Sequence, residues 1–169
     1  MAVQFIPVIT DEQIASLAFI ADTVWHDWFQ SILSPEQIDY MVDKFQSFKA
    51  IKQQTGREGY EYYFLNVNGT NVGYIGIHIE PDTGKLFLSK IYILKAFRGK
   101  RYASEAFEFL EGMCQGLNLK SIYLTVTRTN ENSITVYNKK GFQNIREQVT
   151  DIGKGFVMDD YVMEKMITQ

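Results

Sequence analysis

Apolar positions change their period several times along the chain, and each change marks an element. Residues 3–9 form a short apolar run that predicts a strand, and Thr10 with Gln13 three positions on has the capping-box spacing that starts a helix. Behind that start Ile14, Leu17, Ala18, Ala21, Val24, Trp25 and Trp28 fall on one helical face. Ser34-Pro35-Glu36-Gln37 opens a second helix, with serine as cap and proline at the first helical position, and Ile38, Met41, Val42, Phe45 and Phe48 continue its apolar side. Residues 60–67 and 72–80 are rich in aromatic and β-branched side chains and flank Asn68-Gly69, which predicts a hairpin. Pro81-Asp82-Thr83-Gly84 then turns the chain into a third strand over 85–94. After Gly99 the period becomes helical again: Ala103, Phe107, Leu110, Cys114 and Leu117 form a stripe, with Glu105, Glu108 and Glu111 opposite. Residues 119–127 alternate as a strand, 133–140 form a short helix ended by Gly141, and strands near 142–149 and 156–166 close the chain. The order β-α-α-β-β-β-α-β-α-β-β predicts an α/β (α+β) fold, a mixed sheet with helices on its faces.

Composition narrows the function classes. With 169 residues and 46% hydrophobic positions the chain can bury a core and is expected to be one domain over 1–169. Seventeen basic residues against twenty acidic ones leave a net charge of −3, which argues against a nucleic-acid or anionic-membrane partner. One cysteine, Cys114, and two histidines, His26 and His78, can form neither an internal disulfide nor a cysteine–histidine zinc site, so no metal is expected. The first ten residues lack a basic segment followed by an apolar run, and no apolar stretch approaches ~20 residues, so the expected compartment is the cytoplasm.

Candidate chemistry concentrates where the third strand of the meander passes into the long helix. Lys95, Arg98, Lys100 and Arg101 place four cations in seven residues at a helix start, where unpaired N–H groups and the positive dipole end favour an anion. By itself that turn also describes an ordinary strand-to-helix connection. Taken with Asn130-x-x-Ser133-x-x-x-Tyr137-x-Lys139-x-Gly141-Phe142 downstream, Arg98-x-x-Arg101-x-Ala103 resembles the paired signature of the GNAT superfamily of N-acetyltransferases. The resemblance implies the GNAT fold, with a mostly antiparallel central sheet between helices, and an acetyl-CoA site. Amides of Arg98, Gly99, Lys100, Arg101, Tyr102, Ala103 and Ser104 would bind the pyrophosphate. The strand edge at Ile91, Tyr92 and Ile93 would pair with pantetheine, and Asn130, Ser133 and Lys139 would touch the rest of the cofactor. The family's turn usually has glycine where this chain has Arg101. Either the backbone there needs no positive φ or the phosphates shift, and the guanidinium can add a charge-assisted contact.

Acetyl transfer to an amine needs a base, an oxyanion donor and protonation of the leaving thiolate. The resemblance places Tyr137 at the last task. It also implies an oxyanion donor on the backbone near Tyr92 and Ile93. The base stays open among His78, Glu80, Asp159, Asp160 and a water chain, because the strand over 86–93 has no carboxylate. The Ser-Pro-Glu helix opening and the Met158-Asp159-Asp160 ending are similar to bacterial spermidine/spermine-type acetyltransferases. That similarity implies a small cationic amine acceptor held by Trp25, Trp28, Phe29, Asp159 and Asp160, with core packing as the competing role for the tryptophans. A protein N-terminus or lysine, an amino sugar, or a non-catalytic acyl-CoA-binding role are the alternatives. GNAT relatives often pair, and the C-terminal strands predict an exposed edge, so a homodimer is expected.

Overall fold

The computed structural model describes residues 2–169. Its strands form one seven-stranded sheet in the order β1-β2-β3-β4-β5-β7-β6, mostly antiparallel, with β4 and β5 parallel. The strands are β1 (Gln4–Pro7), β2 (Tyr60–Val67), β3 (Thr70–Glu80), β4 (Lys85–Ile93), β5 (Ser121–Thr127), β6 (Gln143–Gly153) and β7 (Phe156–Met166). The helices are α1 (Asp11–Phe29), α2 (Pro35–Gln46), α3 (Phe48–Arg57), α4 (Tyr102–Gly116) and α5 (Glu131–Lys139). Two compact units divide the chain: one runs up to His78 and adds Lys90–Leu110, the other comprises Ile79–Ser89 and Glu111–Gln169.

In the first unit the predicted caps hold. Thr10 accepts from the Gln13 N–H at 3.1 Å while the Gln13 side chain accepts from the Thr10 N–H at 2.9 Å, and Ser34 caps α2 with Pro35 behind it. The expected single second helix is two. Ser47 leaves helical geometry at φ −74°, ψ 162°, and its hydroxyl accepts from the Ala50 N–H at 3.2 Å to start α3. Phe48 therefore begins a new helix instead of extending the stripe of α2. Ile14, Leu17, Ala21, Tyr62, Phe64 and Tyr74 form the core between these helices and β2–β3. Through that core runs a hydrogen-bond chain that joins α1, α2, α3 and the sheet. Trp25 Nε1 donates to the Tyr74 hydroxyl (2.9 Å), which donates to Gln46 Oε1 (2.6 Å). Gln46 Nε2 donates to the Tyr62 hydroxyl (3.0 Å), which donates to Gln54 Oε1 (2.6 Å). Burial without partners would cost each of these groups about 1–3 kcal/mol, so the chain of bonds fixes how the helices seat.

In the second unit β5 alternates as expected, with Ile122, Leu124 and Val126 buried. Cys114 is buried on α4, and burial pushes its thiol up to about 11, whereas Leu117 ends outside the stripe at 53% exposure. Asn130 caps α5 by accepting from the Ser133 N–H at 3.3 Å, which starts the helix at Glu131 rather than at Ser133. No helix among the described residues is long and apolar enough to cross a membrane.

Candidate active site

The strand-to-helix turn is built by two left-handed residues. Gly99 has φ 80° and Arg101 has φ 68°, so the position where the family has glycine does demand a positive φ, and an arginine meets the demand here. The first hydrogen bond of α4 runs from the Glu105 N–H to the Arg101 carbonyl at 3.2 Å. Amides between Gly99 and Ser104 lie ahead of the helical ladder, and left-handed residues at such a helix start are the kind of backbone from which anion-binding nests are built.

Arg98 is committed elsewhere. Its Nε donates to the Ile93 carbonyl at 2.9 Å, its Nη2 lies 3.0 Å from Asp27 Oδ2, and its guanidinium sits 4.7 Å from the Trp28 ring centroid. The side chain thus braces the turn against α1, and the Arg98 N–H donates to the Lys95 carbonyl at 3.3 Å. Trp25 and Phe29 are buried in the core, where both rings pack on Tyr92, while Trp28 is half-buried under Arg98. Behind β4 the chain comes unusually close: a Cβ on Gly73 would stand 2.3 Å from the Tyr92 carbonyl oxygen. Ile91, Tyr92, Ile93 and the turn from Arg98 to Ser104 all belong to the first unit.

Asn130, Ser133, Tyr137, Lys139, Asp159 and Asp160 belong to the second. Asn130 and Ser133 are joined in the cap of α5, and Lys139 is exposed at its far end. Tyr137 packs against Phe142, and burial pushes its hydroxyl up to about 12, so the phenol keeps its proton at neutral pH. The paired aspartates part ways along β7. Asp159 Oδ1 accepts from Arg128 Nε at 3.1 Å, and Arg128 also pairs with Glu147 at 2.9 Å and lies over the Tyr161 ring. Asp160 turns inward, 5% exposed, and its Oδ1 has no hydrogen-bond partner among the described residues.

Two residues carry signals that the motif reading passed over. Lys90, on β4, has its ammonium lowered to about 8 by burial. Asp27 anchors Arg98, and only a three-dimensional view links residues so far apart in sequence. Among the described residues no group of three or more histidine, cysteine or acidic side chains is placed to hold a metal ion. A cavity of about 430 Å³ between β2 and the helices of the first unit, lined by Lys52, Tyr60, Tyr62 and Tyr63, contains none of the candidate residues.

Fold and family profile together define an acyl-CoA-dependent transferase. The sequence profile of the Acetyltransferase (GNAT) family matches residues 22–142, and the chain belongs to that family of N-acetyltransferases, which use acetyl-CoA. It is 23% identical over 165 residues to an uncharacterised N-acetyltransferase from the 3′ region of pepI in Lactobacillus delbrueckii subsp. lactis, covering 94% of this chain and 95% of that one. Over 98 residues it is 29% identical to the uncharacterised N-acetyltransferase YdgE of Bacillus subtilis, covering 54% of this chain and 62% of that one. Its fold is similar to the PaiA N-acetyltransferase of Thermoplasma acidophilum in complex with coenzyme A (TM-score 0.77, 19% identity, 98% of this chain and 99% of that one). It is similar also to a GCN5-related N-acetyltransferase of Rhodopseudomonas palustris (TM-score 0.80, 15% identity, 98% and 96%).

Proposed function

We propose that the chain transfers acetyl from acetyl-CoA directly to a primary amine, and that the acceptor is a small cationic amine such as a polyamine. The observation that carries the donor half is the pair of left-handed residues, Gly99 and Arg101, that opens a nest of amides at the start of α4. The pyrophosphate would sit on amides from Gly99 to Ser104, pantetheine along Ile91, Tyr92 and Ile93, and the rest of the cofactor against Asn130, Ser133 and Lys139. Arg98 acts here by bracing the turn. Tyr137, protonated at working pH, donates to the departing thiolate.

The acceptor half is supported by the buried carboxylate of Asp160, since a desolvated anion favours an ammonium. A protein N-terminus or lysine is the rival acceptor. The cytoplasm is the compartment in which acetyl-CoA and such amines meet. The test is coenzyme A thiol release over polyamines, amino sugars and peptides. Tyr137→Phe should lower kcat about 10- to 100-fold on the best acceptor with acetyl-CoA affinity unchanged. Equal rates on polyamines and peptides would remove the polyamine, and wild-type kcat in the variant would remove the role of Tyr137.

A further inference from the structure

Asp160 lies in the middle of a three-strand pairing, opposite Thr127 on β5 and Gln148 on β6. Lys165 Nζ is 3.1 Å from Glu111 Oε1, which puts the C-terminal part of α4 over the Lys165 face of β7. Strand alternation therefore aims Asp160 at the other face, shared with Val162, Thr125 and Tyr123. Two carboxylates of this unit on that face have partners already: Glu164 is 3.1 Å from Lys85, and Glu80 accepts from the Tyr123 hydroxyl. Thr127 and Gln148 do not titrate, Arg146 stands exposed opposite Val162, and Asp159 faces away under Arg128. A carboxylate buried with an unpaired oxygen is costly, and its neighbour Val162 shows that an apolar side chain fits the same strand.

We propose that Asp160 is the proton acceptor for the incoming amine, its unpaired Oδ1 receiving the ammonium at the end of β5 from which α5 and Tyr137 depart. This rests on the reading of the chain as a direct amine acetyltransferase. The ammonium gives one proton to the carboxylate, and the freed lone pair forms the C–N bond to the thioester carbonyl. The C–S bond then breaks, and the thiolate takes the Tyr137 phenol proton. The second proton lost by nitrogen restores the phenol, and Asp160 returns its own proton to water. Burial, helped by the charge of Asp159, raises the Asp160 carboxyl to about 6, a basicity matched to this task near neutral pH.

Asp160→Asn decides the matter, measured on the amine that wild type turns over best. Wild type should show an acidic limb near pH 6, and the variant should lose that limb together with about 100-fold or more of kcat/KM. The melting-temperature rise on adding acetyl-CoA should be unchanged. Because the folded-state carboxyl is raised, wild type loses stability as pH climbs from about 4 through 6, so the asparagine variant should be at least as stable at pH 8. Activity within about threefold of wild type, or an unaltered pH profile, overturns the assignment. So does a variant that fails to fold or is less stable at pH 8, since that marks a structural carboxylate. Wild type that binds acetyl-CoA yet acetylates no amine in the panel overturns instead the amine-transfer reading on which the assignment rests.

Discussion

Arg101 shows how one residue can satisfy a backbone demand at a cost. A left-handed conformation costs a non-glycine residue roughly 1–2 kcal/mol, whereas glycine costs ~0.5–1 kcal/mol through its looser unfolded chain. Arg101→Gly should therefore raise stability by roughly 0.5–1 kcal/mol in urea unfolding with an unchanged slope. Arg101→Ala keeps the strained φ and removes the charge, so comparing acetyl-CoA affinity in the two variants separates backbone from guanidinium. A glycine variant less stable than wild type would show that the φ of 68° is not strained in this turn. At the same scale Asp159 and Asp160 illustrate what a strand does to an adjacent pair. Neighbours on a strand face opposite ways, so one aspartate finds Arg128 and the other is buried with no partner for its Oδ1 among the described residues.

Between elements, the decisive contact is the approach of β3 to β4. Gly73 leaves space for the Tyr92 carbonyl, and an added Cβ would lie 3.1 Å from the Ile93 Cα as well. Both neighbours are backbone, which cannot swing aside, so Gly73→Ala should cost on the order of 1–3 kcal/mol and displace the edge of β4. Acetyl-CoA affinity by calorimetry should fall about tenfold or more while the α1–α3 side keeps its far-UV signal. Unchanged affinity would separate the β4 edge from the cofactor site. Ser47 makes the complementary point: a cap in the middle of an apolar period splits one helix into two. Gln46 and Gln54 on either side of the break then reach the tyrosines of β2 and β3.

For the whole molecule the open question is association. β6 is one of the two edges of the sheet, exposed over nearly all its length, and Val149 and Val157 stand 66% and 51% exposed on one face of the β6–β7 ribbon. Such an edge invites pairing with another copy. The expectation is a homodimer at micromolar concentration, with Val149→Asp shifting light scattering toward the 19.5 kDa monomer. Wild type that scatters only as a monomer would refute it. The features legible in the chain alone were local: the caps at Thr10 and Ser34, the Asn68-Gly69 hairpin, the stripe of α4, and the paired motif that resembles the family's signature. Those signals are short-range because helix and strand periods and turn chemistry act over a few residues. That Arg98 braces α1, that Trp25 bonds Tyr74 and that Asp160 is the aspartate turned inward follow from three-dimensional contacts alone. Each depends on which distant group occupies the other side of the contact, and hydrogen bonding, stacking and desolvation act through that partner rather than through sequence spacing.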